Sequence, residues 1–313
     1  MSDLSKKEEA LLRALNTTNM ATSIHEDLSD VVTYVTPTTC PLTRRLGRVD
    51  ATALLHEWTE EALDSTLSTA AYADAGAPAA NAGSISRLSN KIMSIGRRAS
   101  ASELLNATNT VGKRNGMDAF AREVEAKLRD ALRAQEYFAW NGDVTQTSPQ
   151  QMNGVIQFMA SGTNSVANGA SALAELKLQE AITAAYAGGG EPTAIYCSPL
   201  VAQRIVNFTA DKLRFSPGGG PGGQNSGAMK YLSPFGYELD VVPVRGDYLP
   251  SGTVYILDEK YIKFADLNGG WKMKELAITS DVVADRLIKI YTTLELKYKL
   301  AHSKVTGVSN VLS

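Results

Sequence analysis

Between residues 285 and 302 the chain reads DRLIKIYTTLELKYKLAH. Ile288, Ile290, Thr292, Leu294, Leu296, Tyr298 and Leu300 fall on one face of an extended strand. Lys289, Tyr291, Thr293, Glu295, Lys297 and Lys299 fall on the other. The alternation runs well past the usual five or six residues of a strand. One face is expected to be buried and the other wet, so a long apolar surface has to lie along it. Residues 115–141 supply a match. Met117, Phe120, Val124, Leu128 and Leu132 recur every three or four residues with Glu, Lys and Arg between them, and Asn-Gly-Asp at 141–143 stops the pattern. Such a helix is a rod of roughly 37 Å, about twice the ordinary length. The two segments predict an α+β chain organised round one long helix and one long strand.

A second unit is expected from about 171 to 267. SALAELKLQEAITAAYAGGG reads as a helix closed at Gly188, and PTAIYCS as a buried strand. SPLVAQRIVNF reads as a helix with Ser198 as N-cap and Pro199 at the first helical position. GYELDVVPVR, TVYILD and YIKFADL give three more strands. The N-terminal 45 residues read as an arm, with a short helix over Lys6–Leu15 and no long helix across Pro37 and Pro41. Residues 50–106 are the unusual part. Either flank reads as strand, although TEEALDSTL also has helical propensity, and the middle from Asp64 to Ser86 is mostly Ala, Ser, Gly, Thr and Asp. A connection that long and that poor in apolar groups is uncommon in a compact domain and is usually functional or disordered.

Composition narrows the classes. Hydrophobic residues make up 44% of the 313, enough for a core, and the formal net charge of −2 carries no basic excess for tight sequence-independent binding of nucleic acid. No apolar run approaches the roughly 18 residues of a membrane span, and the charged, amphipathic start does not read as a secretion signal. Cys40 and Cys197 offer neither a disulfide framework nor a zinc set and fit a reducing cytoplasm; His25, His56 and His302 lie far apart. GGGPGG at 218–223 satisfies the dinucleotide spacing literally but lacks the strand before and helix after that the chemistry needs, and GGGEP at 188–192 lacks a Gly-Lys-Ser/Thr ending. Glu57, Glu60 and Glu61 read as a solvated acidic face, and His56 beside Trp58 as a packing or interface pair. Ser198 has a structural role as a cap. The Arg44–Arg45 and Arg97–Arg98 pairs suit salt contacts with another protein chain. No catalytic, metal or cofactor site is expected.

The order of parts, arm, long loop, long helix, α/β insertion and returning strand, resembles the major capsid proteins of tailed bacteriophages with the Hong Kong 97-type fold. The sequence is similar to the major head protein family of SU-10-like phages. CPLTRRLGRVDATALLHEWTEEAL, SRLSNKIMSIGRRASAS, GMDAFAREVEAKLRDALRAQEYFAWNGD, NGVIQFM, YCSPLVAQRIVNF and LIKIYTTLELKYKLAH carry the resemblance, which covers most of the chain from about residue 40. It implies an N-terminal arm over 1–49, an extension loop over 50–106, and a peripheral domain over 107–170 that holds a spine helix at 115–141. It also implies an axial domain over 171–267 and peripheral strands over 268–313. The implied role is an icosahedral head shell of hexamers and pentamers of the chain, enclosing double-stranded DNA without sequence-specific binding and with no membrane. Assembly in the bacterial host cytoplasm is implied, with a portal protein and possible separate scaffolding, protease and decoration proteins. Trp58, Leu63, Tyr72, Arg87, Leu88, Lys91, Ile92, Arg97 and Arg98 are the expected intersubunit contacts, and Leu63, Leu67, Tyr72, Ile85, Leu88 and Ile92 are expected to be buried only where a neighbour supplies the other surface. Some shells of this fold are cross-linked between a loop lysine and an asparagine with help from a buried glutamate. Here Lys91 is the only lysine of the loop and stands near its return strand, with Asn310 as the candidate acceptor, so covalent linkage is not expected. The rival readings are an encapsulin-type compartment enclosing a cargo enzyme, and a nucleotide-binding enzyme using residues 188–223.

Overall fold

The computed structural model describes residues 39–63, 83–107, 119–210, 230–277 apart from 234 and 237, and 282–310, with isolated positions at 71, 76 and 77. The expected helix at 6–15, the GGGPGG stretch and Tyr72 lie outside the described residues. Pro41 opens a short helix, α1 (Pro41–Arg45), followed by strand β1 (Gly47–Ala51). Strands β2 (Leu55–Ala62) and β3 (Ser84–Lys91) pair with each other, and β4 (Met93–Ser102) runs into a short helix, α2 (Glu103–Ala107). The helical option for TEEALDSTL therefore loses to strand over Leu55–Ala62. The long helix is α3 (Ala119–Asn141), and α4 (Val155–Phe158) is a single turn beyond it. Next come β5 (Asn164–Ala172), α5 (Glu175–Ala187), β6 (Ala194–Cys197) and α6 (Pro199–Ala210). The remaining strands are β7 (Lys230–Leu232), β8 (Glu238–Pro243), β9 (Thr253–Leu257), β10 (Ile262–Leu267), β11 (Lys272–Glu275), β12 (Val282–Leu296) and β13 (Ser303–Ser309).

The length of β12 has a topological use. Its residues 282–292 pair with β4 along one edge, while β11 pairs over 286–289 and β10 over 292–296, all antiparallel, and β1 adds in parallel to β10. Helix α3 packs across β4 and β12. The second sheet runs β5-β13-β9-β6-β8-β7. Its β6 is buried at every position, as a central strand should be. Sheet membership redraws the expected domain limits. β10 lies before residue 267 yet belongs to the β12 sheet, whereas β5 and β13 belong to the β6 sheet. The two sheets are thus exchanged through the chain three times, and no single cut separates them.

Two expectations about faces need correction. The buried side of α3 is Ala131, Gln135, Glu136, Ala139 and Trp140, while Phe120, Val124, Leu128 and Leu132 are only half-buried. Two alanines bring the helix backbone close to its neighbours, and Glu136 lies inside because it has work there. Its Oε1 accepts from Leu42 N at 3.0 Å and Trp140 Nε1 at 3.2 Å, and its Oε2 from Thr43 N at 2.8 Å and Thr43 Oγ1 at 2.7 Å. The carboxylate satisfies the open amides at the start of α1. On β12 the alternation holds from Ile288 to Thr292. From Thr292 to Leu296 both faces are buried, and the strand ends before Tyr298, whose φ of 50° turns the chain. Tyr298 and Leu300 are exposed and do not continue the apolar face. Past the end of α3 the backbone folds back on itself. A Cβ at Gly142 would stand 2.3 Å from Met152 O, and one at Gly154 2.5 Å from Trp140 O, so glycine is required at both.

Candidate self-association surface

β2 and β3 form a two-stranded ribbon of eight facing pairs, from Leu55–Lys91 at the root to Ala62–Ser84 at the outer end. Two strands alone are marginal in water, so the root must be held by the rest of the chain. Trp58 is 6% exposed and lies 6.2 Å from Phe158 and 6.0 Å from His56, ring to ring, and Leu88 packs on the same core. Asn90 uses its whole amide. Nδ2 donates to Leu294 O at 2.7 Å and Asn153 O at 3.2 Å, and Oδ1 accepts from Asn153 N and Lys91 N, both at 2.9 Å. His56 Nε2 lies 3.1 Å from Glu295 Oε2, and Tyr298 N donates to Glu60 Oε1 at 2.7 Å. Burial works against a charge on Glu295, but Lys297 and His56 outweigh it and hold the carboxyl below its usual range.

The outer part of the ribbon is different. Leu63 is 85% exposed and Ile85 70%, with Glu61 exposed opposite Ile85, and Glu57, Thr59 and Arg87 are exposed nearer the root. Arg87 reaches Glu57 only at 3.5 Å, and both are in water. Such a pair contributes little. The ribbon is thus seated in its own chain at one end and carries exposed apolar and acidic groups at the other.

The expected contact residues separate into groups. Leu63 and Arg87 are exposed on the outer ribbon. Trp58 and Ile92 are buried within their own chain, and Leu88 packs on its core. For Leu88 and Ile92 that corrects the expectation that only a neighbour could cover their apolar surface; with Trp58, which packs as one of its two expected options, they are the ribbon's internal anchors. Lys91 is half-buried at the root. Arg98 forks Asp285, with Nε 2.8 Å from both carboxylate oxygens and Nη2 on Oδ2. Arg97 lines a recess of about 370 Å³ with Asp130, Arg133 and Tyr137 of α3 and with Asp247. The anchors Asn90 and Glu295 escaped the sequence reading because a buried Asn or Glu has no periodic signature.

Other candidate chemistry resolves into packing. A Cβ at Gly190 would stand 2.5 Å from Ala301 Cα, and one at Gly188 2.2 Å from Leu300 O, so this glycine run seats the turn after β12 and not a phosphate. The Ser198 hydroxyl donates to Asn310 Oδ1 at 2.7 Å instead of capping α6, although Ser198 O accepts from Ala202 N as a cap residue's carbonyl does. Burial raises the Cys40 thiol to about 11 and the Cys197 thiol to about 12. Among the described residues there is no metal-binding cluster and no helix long and apolar enough to cross a membrane.

The family model of the SU10 major capsid protein matches residues 14–309. The chain belongs to the SU10 major capsid protein family. No curated protein matches it. The fold is similar to the capsid of cyanophage A-1(L), with a TM-score of 0.68 at 10% identity over 94% of this chain and 100% of that one. It is similar to the capsid of a native GTA particle (0.65, 14%, covering 95% and 100%) and to the SrpI encapsulin of Synechococcus elongatus PCC 7942 (0.62, 13%, covering 95% and 97%). This SU10-family chain therefore has the Hong Kong 97-type phage capsid fold. It is a major capsid protein, a structural subunit of a phage particle that builds a shell from copies of itself.

Proposed function

We propose that this capsid protein closes into an icosahedral head of hexamers and pentamers around the double-stranded DNA of a tailed phage. Assembly takes place in the bacterial cytoplasm with a portal protein and, where the phage has them, separate scaffolding, protease and decoration proteins. The observation that carries the reading is the outer ribbon, where Leu63 and Ile85 stand in water on a base clamped by Trp58, Asn90 and Glu60. Exposed apolar groups on a rigid projection are stable in a soluble chain chiefly as an interface, and a repeated contact of one chain with copies of itself closes a shell. A formal net charge of −2 supports containment of DNA without tight attachment to it. An encapsulin has the same fold, and the family match favours the phage head over it. Sedimentation of concentrated protein, with scaffold present where needed, is expected to give megadalton particles visible by negative stain. A strictly monomeric chain under all conditions, phage lysates included, would defeat the proposal.

A further inference from the structure

β12 has one face against α3 and one turned away from it. Lys272 faces Lys289 directly across the β11–β12 ladder, and Lys274 follows two residues along the same face of β11. Like charges directly opposite one another in a sheet are destabilising. None of the three lysines has an ion-pair partner among the described residues, and Lys289 donates instead to Tyr291 Oη at 2.8 Å. The nearest acid on β11, Glu275, is on the other face with Arg286, whose guanidinium also lies over the Phe120 ring of α3. The bond from Lys289, and then the charges of Lys289, Lys274 and Lys272, hold the Tyr291 phenol below its ordinary range. This face concentrates positive charge: among the described residues no acid pairs with the three lysines, and the acid on the same face of β12, Asp285, is held by Arg98.

The complementary charge is in the arm. Residues 57–86 contain Glu57, Glu60, Glu61, Asp64 and Asp74 and no lysine or arginine. Of the described acids, Glu61 has no ion pair and Glu57 has only the loose one to Arg87. The ribbon cannot deliver Glu57 and Glu61 to the lysines of its own chain. Its root is tied by His56 to Glu295 and by Glu60 to Tyr298. At 3.3–3.4 Å per residue, that end of β12 is roughly 20 Å or more from Lys289. We propose that the Lys272–Lys274–Lys289 face is the docking surface for the acidic β2 strand of a second copy, with Glu57 and Glu61 meeting the lysines. This rests on the shell reading above and specifies which two surfaces meet. Each copy then gives its acidic strand to one neighbour and its basic face to another, a head-to-tail contact that propagates round a ring.

The test is charge reversal and its reciprocal. Lys272→Glu with Lys274→Glu, and separately Glu57→Lys with Glu61→Lys, change only exposed side chains, and circular dichroism and melting of the unassembled chain check that each still folds. Each pair of substitutions is expected to raise the protein concentration needed for shells at least tenfold, and the four together to restore it to within about threefold of the wild type. Reversals that leave assembly unchanged overturn the docking and leave the shell reading standing. Reversals that block assembly without mutual rescue also overturn it, because the lysines then serve nucleic acid or another acidic protein. A wild-type chain that forms no shells in any condition removes the shell reading, and the docking with it.

Discussion

His302 is fully buried, with Nδ1 accepting from Asp258 N at 3.1 Å and Nε2 set 3.3 Å from Lys297 O. That pattern fits the neutral ring with its proton on Nε2. Burial lowers its pKa to about 4, a pull that the Lys297 carbonyl only partly opposes. The unfolded chain takes up the proton near 6.5, so between about 6.5 and 4 the unfolded state binds more protons than the folded one. Stability is therefore fully present above pH 6.5 and falls as the pH drops toward 4, in total by on the order of 3 kcal/mol. Urea unfolding of the unassembled subunit between pH 4.5 and 7.5 reads this directly. His302→Gln is expected to be less stable at neutral pH and to lose this part of the slope, and a parallel slope in the variant would assign the acid sensitivity elsewhere.

At the scale of elements, the arm is the part whose function is separable from folding. Trp58, Leu88, Asn90 and Ile92 hold its root, so removing residues 66–82 leaves every described anchor in place. The deleted chain is expected to keep the melting temperature of the unassembled subunit within a few degrees and to fail to form stable shells. Trypsin is expected to cut at exposed Arg87 quickly in free subunits and slowly in particles. Normal particles from the deletion would show that the arm does not join subunits. The arm was legible in sequence because a 23-residue stretch from Asp64 to Ser86 with few apolar groups cannot stabilise itself. The long helix and β12 were legible because their periods run for many residues. Less was legible where a local pattern did not decide. The buried seam of α3 uses Ala131, Ala139 and Glu136, which depend on what stands opposite. β12 loses its alternation after Thr292 because the ribbon root covers its second face through His56 on Glu295. Sheet membership of β5, β10 and β13 depends on contacts distant in sequence, to which no hydrophobic period refers.

For the whole molecule, the remaining question is whether the shell is held by covalent bonds or only by many weak ones. An isopeptide link needs a lysine presented as a free amine, an asparagine side chain open to attack and a buried carboxylate to move the protons. Lys91, the one lysine of the arm, is half-buried at the ribbon root facing Leu55 and not at the outer end. Asn310 stands at the end of β13 in the other sheet, and its Oδ1 accepts from the Ser198 hydroxyl. Among the described residues the buried glutamates are Glu136 and Glu295. Glu136 already accepts four hydrogen bonds, and Glu295 is held as an anion by Lys297 and His56. Neither is free to act as a base for an incoming lysine. Cohesion is then expected to come from interface area multiplied over many copies, which makes it sensitive to salt and denaturant. Mature particles boiled in detergent are expected to release single chains near 33.5 kDa. Intact mass is expected to match the translated sequence, allowing for any proteolytic trimming, with no loss of ammonia. Chain multimers that survive boiling and reduction would show that a lysine and an asparagine do meet between subunits, and peptide mapping of the ladder would name them.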